Sequence, residues 1–306
     1  MGSTVEVFAL DADERVLEWA RVELAALEAS WTRFDPASEL CQLNASAGSG
    51  PVVVSIPLLD AIDASLRLWR ATDGCFDPTT LAALEALGYD SSFDMVRARP
   101  VTRTAVVPSG EPASVSSGPG LLSALGIVVD HERQTVQLPA GVRLDLGGVG
   151  KGLAADRIAA GMVELGASGS CVSVGGDVAV CGVTPDGGWR IGVSDPFEPD
   201  RVRWEIPLTR GAVVQSNCLV RSWGPADARR HHIVDPRTGT SADSGVVGAV
   251  VVADEAWWAE GVAKAAIVAG AVRGVEMIER LARAGWLVLA DGSVVMAGSV
   301  GIRRAA

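Results

Sequence analysis

The stretch RLDLGGVGKGLAAD, residues 143–156, decides how the middle of this chain folds. Residues 142–146 are predicted to form a strand, the glycines after them a tight turn, and residues 152–165 a helix. Glycines let a ligand approach the backbone, and a helix N-terminus with a nearby lysine, Lys151, attracts an anion. The spacing fits neither a Walker loop nor a G-x-G-x-x-G dinucleotide fingerprint. The stretch therefore predicts an anion cradle of another kind.

Lysine is rare in this sequence. Of the 26 basic residues only Lys151 and Lys264 are lysines, and both lie in stretches rich in small residues. An ammonium is a compact point charge, whereas the guanidinium of arginine is a planar fork. A lysine retained in a chain that otherwise uses arginine indicates a site where the planar group does not fit. Chance survival on the surface is the alternative.

The composition excludes several classes of protein. A net charge of −11 disfavours binding to nucleic acid, which needs several basic residues at each site. No apolar run approaches the roughly 18 residues that span a membrane, and the first residues lack the features of a signal peptide. The cysteines are odd in number and lack a C-x-x-C pair, so we expect buried free thiols and a cytoplasmic location. These cysteines are Cys41, Cys75, Cys171, Cys181 and Cys218.

The order of the predicted elements indicates an α+β fold. Helices and strands are interspersed without the steady strand–helix–strand repeat of a parallel sheet, so we expect antiparallel-rich sheets packed with helices. The sequence has no internal repeat and no clear linker, which favours a single domain over residues 1–306. The Pro-, Gly- and Ser-rich residues 95–121 are predicted to be an irregular excursion.

The individual elements follow from periodicity and turn signals. The predicted helices are 11–29, 55–71, 79–87 and 152–165, one after Glu255 and one near 275–284. The predicted strands are 142–146, 172–180, 189–193, 202–208, 212–220, 231–234 and 246–252, with hairpins at 127–138 and 286–296.

Three further motifs each have a structural explanation beside a functional one. WTRFDPASELCQLN, residues 31–44, offers the aromatic face of Phe34, but it also fits a helix-to-loop transition. TDGCFDPTTL, residues 72–81, predicts two turns and a helix capped by Thr79, whose start could also bind an anion. SVGGDVAVCG, residues 173–182, has glycines inside a predicted strand, which indicates a bulge or a close approach by another group.

Two of the three histidines lie side by side in RRHHIVDPRTGT, residues 229–240. In a strand, His231 and His232 must face opposite ways, so one of them can face a site while the other does not. A structural role is the alternative, but the basic neighbours and the tight turn favour catalysis.

Beyond Glu255, the predicted helix carries Glu260 and Lys264 in AEGVAKAA. Residues four apart meet on one face of a helix, so these two side chains are expected to pair. On its own this spacing predicts an ordinary surface ion pair, worth about 0.3–0.5 kcal/mol.

Taken together and in this order, the motifs resemble those of the ApbE family of flavin transferases. The shared patterns are G-x-F-D-x-T, here GCFDPT; D-L-G-G-x-x-K-G, here DLGGVGKG; G-G-D; and H-I-I-D-P-x-T-G, here HIVDPRTG. The resemblance implies a T-fold-like α+β domain and a protein that binds FAD with Mg²⁺ on its pyrophosphate. Such proteins transfer FMN to a Ser or Thr hydroxyl in a flavinylation motif of a target protein and release AMP.

The resemblance also implies roles for particular residues, and it implies that Lys151 and His232 converge on the diphosphate of one dinucleotide in a shared cavity. His232 would be the general base that takes the proton of the acceptor hydroxyl, and Lys151 would approach the flavin nucleotide. The other residues implied to contact the nucleotide are Phe34, Phe76, Asp77, Pro78, Asp145 and the backbone of Val234.

The metal positions of the family are altered in this chain. They correspond to the carbonyl of Gly148 and to Glu260 and Lys264, where the family has Asp and Thr. An ammonium has no lone pair to give a cation, and Mg²⁺ needs a shell of oxygens. We therefore hypothesise that Lys264 places its own charge where the family holds the ion. Two alternative functions are an FAD-binding pseudoenzyme or carrier and an FAD pyrophosphatase that uses water as acceptor.

Overall fold

The computed structural model of the chain describes residues 3–99, 124–225, 228–299 and 303–304. The helices of this part are α1 Glu14–Trp31, α2 Glu39–Ala45, α3 Ile56–Ala71, α4 Leu81–Ala86, α5 Phe93–Arg97, α6 Gly150–Glu164, α7 Ala256–Ala269 and α8 Ala271–Leu281. The first strands are β1 Val5–Leu10, β2 Val52–Val53, β3 Val128–Asp130, β4 Thr135–Gln137, β5 Gly169–Val174, β6 Asp177–Gly182, β7 Trp189–Ser194, β8 Val202–Leu208 and β9 Gly211–Asn217. The remaining strands are β10 Ser222–Trp223, β11 Arg230–His231, β12 Val234–Asp235, β13 Thr240–Ser241, β14 Val246–Ala253, β15 Ala284–Leu289, β16 Val294–Ala297 and β17 Arg303–Arg304.

A seven-stranded sheet in the order β1-β5-β6-β9-β14-β15-β16 forms the centre of the fold, and all its neighbouring strands are antiparallel. Its two faces are separated by the alternation of side chains along each strand. In β5, for example, Val172 and Val174 pack with the helices, whereas Cys171 packs on the opposite face. The predicted α+β fold with antiparallel-rich sheets is confirmed.

Different layers cover the two faces of this sheet. Helices α6, α7 and α8 lie on one face, and α1 and α3 pack against α6 and α7 from outside. The other face carries the small sheet β17-β8-β7, where the Trp204 ring meets the Trp286 ring at a centroid distance of 5.1 Å. Because both faces are buried, the central strands have nearly continuous apolar sequences such as VVGAVVVA in β14.

Several predicted boundaries shift because side chains cap the backbone. Helix α1 begins at Glu14, since the Asp13 carboxylate accepts hydrogen bonds from the backbone N–H groups of Arg15 and Val16. Helix α4 begins at Leu81 and not at Thr79, whose N–H and hydroxyl both donate to Asp77. The prediction that Thr79 caps this helix is therefore wrong.

The predicted strand 172–180 is two strands, β5 and β6. Gly175 and Gly176 have φ angles of +60° and +89°, which are unfavourable for other residues and typical of a two-residue hairpin turn. The expected bulge is therefore a turn, and it places Asp177 at the first position of β6. Residues 231–234 are likewise not one strand, since β11 ends at His231 and β12 begins at Val234.

Residues 142–146 run into the glycine turn as predicted, but they form no strand. Their hydrogen bonds go to other partners: the Asn44 side chain accepts from the N–H of Leu144 at 2.7 Å and donates to its carbonyl at 2.9 Å. The N–H of Asp145 donates to the carbonyl of Pro78 at 2.9 Å. The side chain of Asn44, a hundred positions away, thus makes the hydrogen bonds that a neighbouring strand would otherwise make.

Three further predictions concern the excursion, the cysteines and membrane-spanning segments. The excursion predicted at 95–121 begins inside α5, and its residues 100–121 lie outside the described residues. All five cysteines are free, as expected. None of the helices in the part of the chain that the structure describes is both long and apolar enough to cross a membrane.

Candidate active site

One cavity of about 420 Å³ lies between the end of α1, the loop before α6, helix α7 and the segment that joins β11 to β12. Lys151 and His232 both line it, so the predicted convergence is confirmed. Of the residues that the sequence singled out, those that line the cavity are Phe34, Phe76, Asp77, Asp145, Gly148, Lys151, His232, Val234 and Lys264. Pro78 and Glu260 lie behind this lining.

The glycine turn fits closely against its neighbours. A β-carbon on Gly148 would lie 2.5 Å from Cε2 of Phe76, so the absence of a side chain lets the aromatic ring reach the turn. Helix α6 begins at Gly150, two residues earlier than predicted, which places Lys151 in its first turn. The ammonium of Lys151 therefore adds to the positive end of the helix dipole.

Helices α6 and α7 approach each other at Gly152. A β-carbon there would lie 2.4 Å from the backbone nitrogen of Trp257, and the N–H of Gly152 donates to Oε2 of Glu260 at 2.9 Å. Asp156, one turn along α6, accepts hydrogen bonds from the N–H groups of Ala256 and Trp257, at 2.9 and 3.0 Å. Helix α6 thus caps the start of α7 and fixes Glu260 beside Lys151.

Four charged side chains form a network at the floor of the cavity. Oε1 of Glu260 lies 2.8 Å from Nζ of Lys151 and 2.8 Å from Nζ of Lys264. Lys151 also donates to Asp177, and Lys264 donates to the carbonyl of Gly148 at 3.3 Å. Both carboxylates are fully buried, whereas Lys151 and Lys264 keep 18% and 13% of their side-chain surface exposed. Glu260 and Lys264 are therefore not the surface ion pair that their spacing alone predicts.

Two members of the network, Glu260 and Lys151, keep their charges against the effect of burial, whereas burial raises the pKa of Asp177 to about 6 and lowers the pKa of Lys264. Burial raises the pKa of Glu260, but the two ammoniums lower it more, so that the pKa falls to about 2. Burial likewise opposes the charge of Lys151, yet the carboxylates of Asp177 and Glu260 raise its pKa above the usual value. Glu260 and Lys151 are thus ionised at neutral pH.

The donor set does not fit a divalent cation. Among the three positions that the resemblance assigns to the metal, Lys264 supplies no lone pair. Its ammonium already donates to the other two, Glu260 and the carbonyl of Gly148. In the part of the chain that the structure describes, no group of three or more His, Cys, Asp or Glu side chains is placed to hold a metal ion. Mg²⁺ prefers six oxygens in an octahedron, and these residues do not offer them.

The two neighbouring histidines have different surroundings, as predicted, although only His231 lies in a strand and His232 follows its end. His232 lines the cavity, and its Nδ1 lies 3.4 Å from the carbonyl oxygen of Arg221. Burial, together with the charges of Lys264 and Arg221, holds the pKa of His232 well below its usual value. Its ring is therefore neutral at pH 7 and can accept a proton. His231 does not line the cavity, and its Nε2 is 3.0 Å from the carbonyl of Ala242.

Two buried polar atoms of cavity-lining residues have no hydrogen-bond partner among the described residues. They are Nε1 of Trp31, a donor, and Oδ2 of Asp77. The other oxygen of Asp77 accepts from the N–H and the hydroxyl of Thr79, and burial raises the pKa of this carboxyl to about 6. Buried polar groups are normally paired, so these two atoms are suited to a ligand.

Arg33 and Tyr89 line the cavity but were not expected from the sequence. The Arg33 guanidinium lies 4.2 Å from the ring centroid of Phe34 and 4.6 Å from that of Tyr89. Its Nε is 3.4 Å from Asp145, whose other oxygen accepts from the N–H of Gly147. Two sequence signals could have pointed here: Arg33 directly precedes Phe34, and Tyr89 is the only tyrosine of the chain.

Known proteins share this sequence pattern over most of the chain. Residues 1–287 match the sequence profile of the ApbE family. The FAD:protein FMN transferase of Escherichia coli strain K12 is 26% identical over 287 residues, which cover 92% of this chain and 75% of that protein. The protein of the same name from Treponema pallidum is 28% identical over 249 residues, which cover 76% of this chain and 65% of that protein.

Solved structures share the fold. The ApbE protein of Thermotoga maritima superimposes with a TM-score of 0.82 at 27% identity, over 97% of this chain and 94% of that one. The flavin transferase ApbE of Vibrio cholerae superimposes with a TM-score of 0.79 over 98% of this chain and 94% of that one. Its identity of 23% supports a shared fold only.

Proposed function

The chain belongs to the ApbE family, and on that premise we propose that it transfers FMN from FAD to a Ser or Thr hydroxyl of a target protein and releases AMP. Relatives that align with most of the chain are named FAD:protein FMN transferase. The observation that carries the proposal is the shared cavity, which has a neutral histidine on one wall and the ammoniums of Lys151 and Lys264 on another.

The reaction is an in-line substitution at phosphorus. The hydroxyl oxygen of the acceptor forms a bond to the FMN phosphorus, and the bond from that phosphorus to the bridging oxygen breaks. The bridging oxygen leaves with AMP. Negative charge accumulates on the phosphoryl oxygens, so the residues contribute mainly by positioning the groups and by electrostatic stabilisation.

His232 is assigned the role of general base. A base must be unprotonated at the working pH, and the depressed pKa of His232 satisfies this condition. If Nδ1 donates its proton to the carbonyl of Arg221, Nε2 carries the lone pair that accepts the proton of the acceptor hydroxyl. A neutral imidazole also avoids repulsion with Lys264 until the proton arrives.

The flavin nucleotide is assigned to the rest of the lining. Phe34 and Phe76 offer aromatic surfaces, and the unpaired Oδ2 of Asp77 and Nε1 of Trp31 offer one acceptor and one donor. Asp145 is oriented by Arg33 and by the backbone of Gly147. Pro78 acts indirectly in this assignment, because its carbonyl fixes the N–H of Asp145, and Val234, which also lines the cavity, contributes backbone.

The acceptor is a protein segment that presents a Ser or Thr in a flavinylation motif. We place the reaction in the cytoplasm, an assignment that the five free cysteines support because cytosolic thiols are kept reduced.

The test uses the purified chain, FAD and a library of Ser- and Thr-containing peptides, with AMP measured by chromatography and peptides by mass spectrometry. AMP release matched by peptides that have gained FMN is the expected result. AMP without any labelled peptide would favour hydrolysis by water, and a yellow complex that never releases AMP would favour a flavin carrier. Either of these last two results would contradict the proposed transfer.

A further inference from the structure

The bridge between the two lysines is formed by one oxygen atom. Oε1 of Glu260 lies 2.8 Å from the ammonium of Lys151 and 2.8 Å from that of Lys264, while Oε2 accepts the N–H of Gly152. Both oxygens of this buried carboxylate are therefore occupied by donors of the protein. A cation placed on Glu260 would have to displace an ammonium.

Each ammonium keeps part of its binding capacity. A protonated lysine has three N–H donors. Lys151 directs donors to Asp177 and Glu260, and Lys264 directs donors to Glu260 and to the carbonyl of Gly148. One donor remains on each, and both side chains are partly exposed and line the cavity.

The positions of these two donors suit a diphosphate. A dinucleotide diphosphate carries one negative charge on each of its two phosphoryl groups, and here two point charges are held side by side by a shared carboxylate. The N-terminus of α6 and the guanidinium of Arg221, which also lines the cavity, add further positive charge. Within the network the carboxylates of Asp177 and Glu260 lie against the two ammoniums, so the protein itself balances part of their charge.

We propose that Lys151 and Lys264, bridged by Glu260, form a clamp that binds the diphosphate of FAD with one ammonium on each phosphoryl group and without a divalent cation. The inference rests on the proposed function and specifies how its substrate is held. It makes binding by this chain independent of Mg²⁺, in contrast to what the family resemblance implies.

The scarcity of lysine gives a direct test. Labelling with ¹⁵N-lysine produces only two side-chain ammonium signals in the nuclear magnetic resonance spectrum, one from each member of the clamp. With EDTA present, FAD is expected to shift both signals, whereas AMP, which has no diphosphate, is expected to shift them less. Signals that FAD leaves unmoved would overturn the proposal.

The affinity for FAD provides the second readout. Titration followed by flavin fluorescence is expected to give the same dissociation constant, within about twofold, in EDTA and in Mg²⁺. Lys264→Gln removes the charge but keeps a hydrogen-bond donor, and a tenfold or greater loss of affinity is expected. Arg157 lies on the same helix as Lys151 and forms a surface ion pair with Glu23. Arg157→Gln breaks this pair; it is the matched control and should bind FAD like the parent chain.

A reconstructed metal site completes the series. Lys264→Thr combined with Glu260→Asp restores the oxygen-bearing residues of the family beside the carbonyl of Gly148. In this double variant Mg²⁺ is expected to raise the affinity for FAD at least tenfold. Circular dichroism checks the fold, and Lys264→Gln supplies the test if the double variant does not fold.

The outcomes separate the clamp from the reaction. FAD binding in EDTA without AMP release or labelled peptide would support the clamp and contradict the transferase. Binding by the parent chain that requires Mg²⁺ would overturn the clamp and leave the transferase intact. A chain that binds FAD under neither condition would overturn both.

Discussion

Gly152 and Trp257 are in backbone contact: a β-carbon on Gly152 would come within 2.4 Å of the Trp257 nitrogen. This contact sets the distance between α6, which carries Lys151, and α7, which carries Glu260 and Lys264. A change in the separation of these two helices would therefore also change the distances within the charged network. The atoms nearest to Gly152 belong to the backbone of α7, so they cannot make room by a change of side-chain rotamer.

We expect Gly152→Ala to lower the free energy of unfolding by about 1–3 kcal/mol, because the added methyl forces the two helices apart. Urea unfolding followed by circular dichroism measures the change. Gly150→Ala is the matched control in the same turn, since its β-carbon would meet Trp31 at an ordinary 3.7 Å. Equal effects of the two substitutions would contradict the role of the close contact.

The two histidines give a matched pair for catalysis. His232→Gln is expected to lower kcat for FMN transfer by about 10²–10⁴-fold, the usual contribution of a general base, and to change FAD affinity little. His231→Gln is expected to keep kcat within a few-fold of the parent value, because His231 lies outside the cavity lining. Similar losses in both variants would mean that the effect is structural.

Asp77 predicts a dependence of stability on pH. Its folded pKa of about 6 lies above the ordinary value of 3.8, so the folded state holds the proton more tightly and ionisation destabilises it. This contribution to the free energy of unfolding is at most about 3 kcal/mol. It is fully present below about pH 4 and is lost as the pH rises through 6. Asp77→Asn removes the titration.

The measurement is urea unfolding of the parent chain and of Asp77→Asn at pH 4.5 and pH 7.5. The stability of the variant relative to the parent is expected to be higher at pH 7.5 than at pH 4.5. Asp186→Asn, on the exposed loop after β6, is the control and should show no such change. A difference that does not vary with pH would show that Asp77 does not titrate in this range.

Arg33 is expected to matter for flavin binding. Arg33→Lys keeps the charge but loses the planar group that lies against Phe34 and Tyr89 and reaches Asp145. We expect FAD affinity to fall about fivefold to tenfold, measured by fluorescence titration. Arg67→Lys changes a similar contact, with Trp257 at 5.0 Å, away from the cavity, and should leave the affinity unchanged.

The sequence predicts helices and strands better than it predicts which distant residues their backbone groups hydrogen-bond to. Helix α3 and strand β8 follow from periodicity because apolar residues recur at the spacing of one buried face. Residues 142–146 look like a strand for the same reason, but the partner of their backbone is the side chain of Asn44. No local pattern signals a partner so distant in the chain.

The candidate site also could be predicted from the sequence only in part. The motifs identify Lys151, His232 and the Glu260–Lys264 spacing. Their spacing alone cannot distinguish a buried charge network from a surface ion pair, since burial depends on which other parts of the fold cover these side chains. Arg33 and Tyr89 are 56 positions apart and meet only in the folded chain. Arg33 lies in the motif of residues 31–44, where only Phe34 stood out, and Tyr89 lies in none of the motifs.

Asp177 and Glu260 are fully buried with the two lysines, and this constrains how the sequence can vary. A change that removes one lysine leaves a carboxylate without its counter-charge inside the protein, at a cost of about 3–5 kcal/mol. A single substitution at position 151, 177, 260 or 264 therefore leaves the buried network with unbalanced charge. A threonine at position 264 would leave two buried carboxylates with the charge of Lys151 alone, so a cation from the solvent would have to balance the other one.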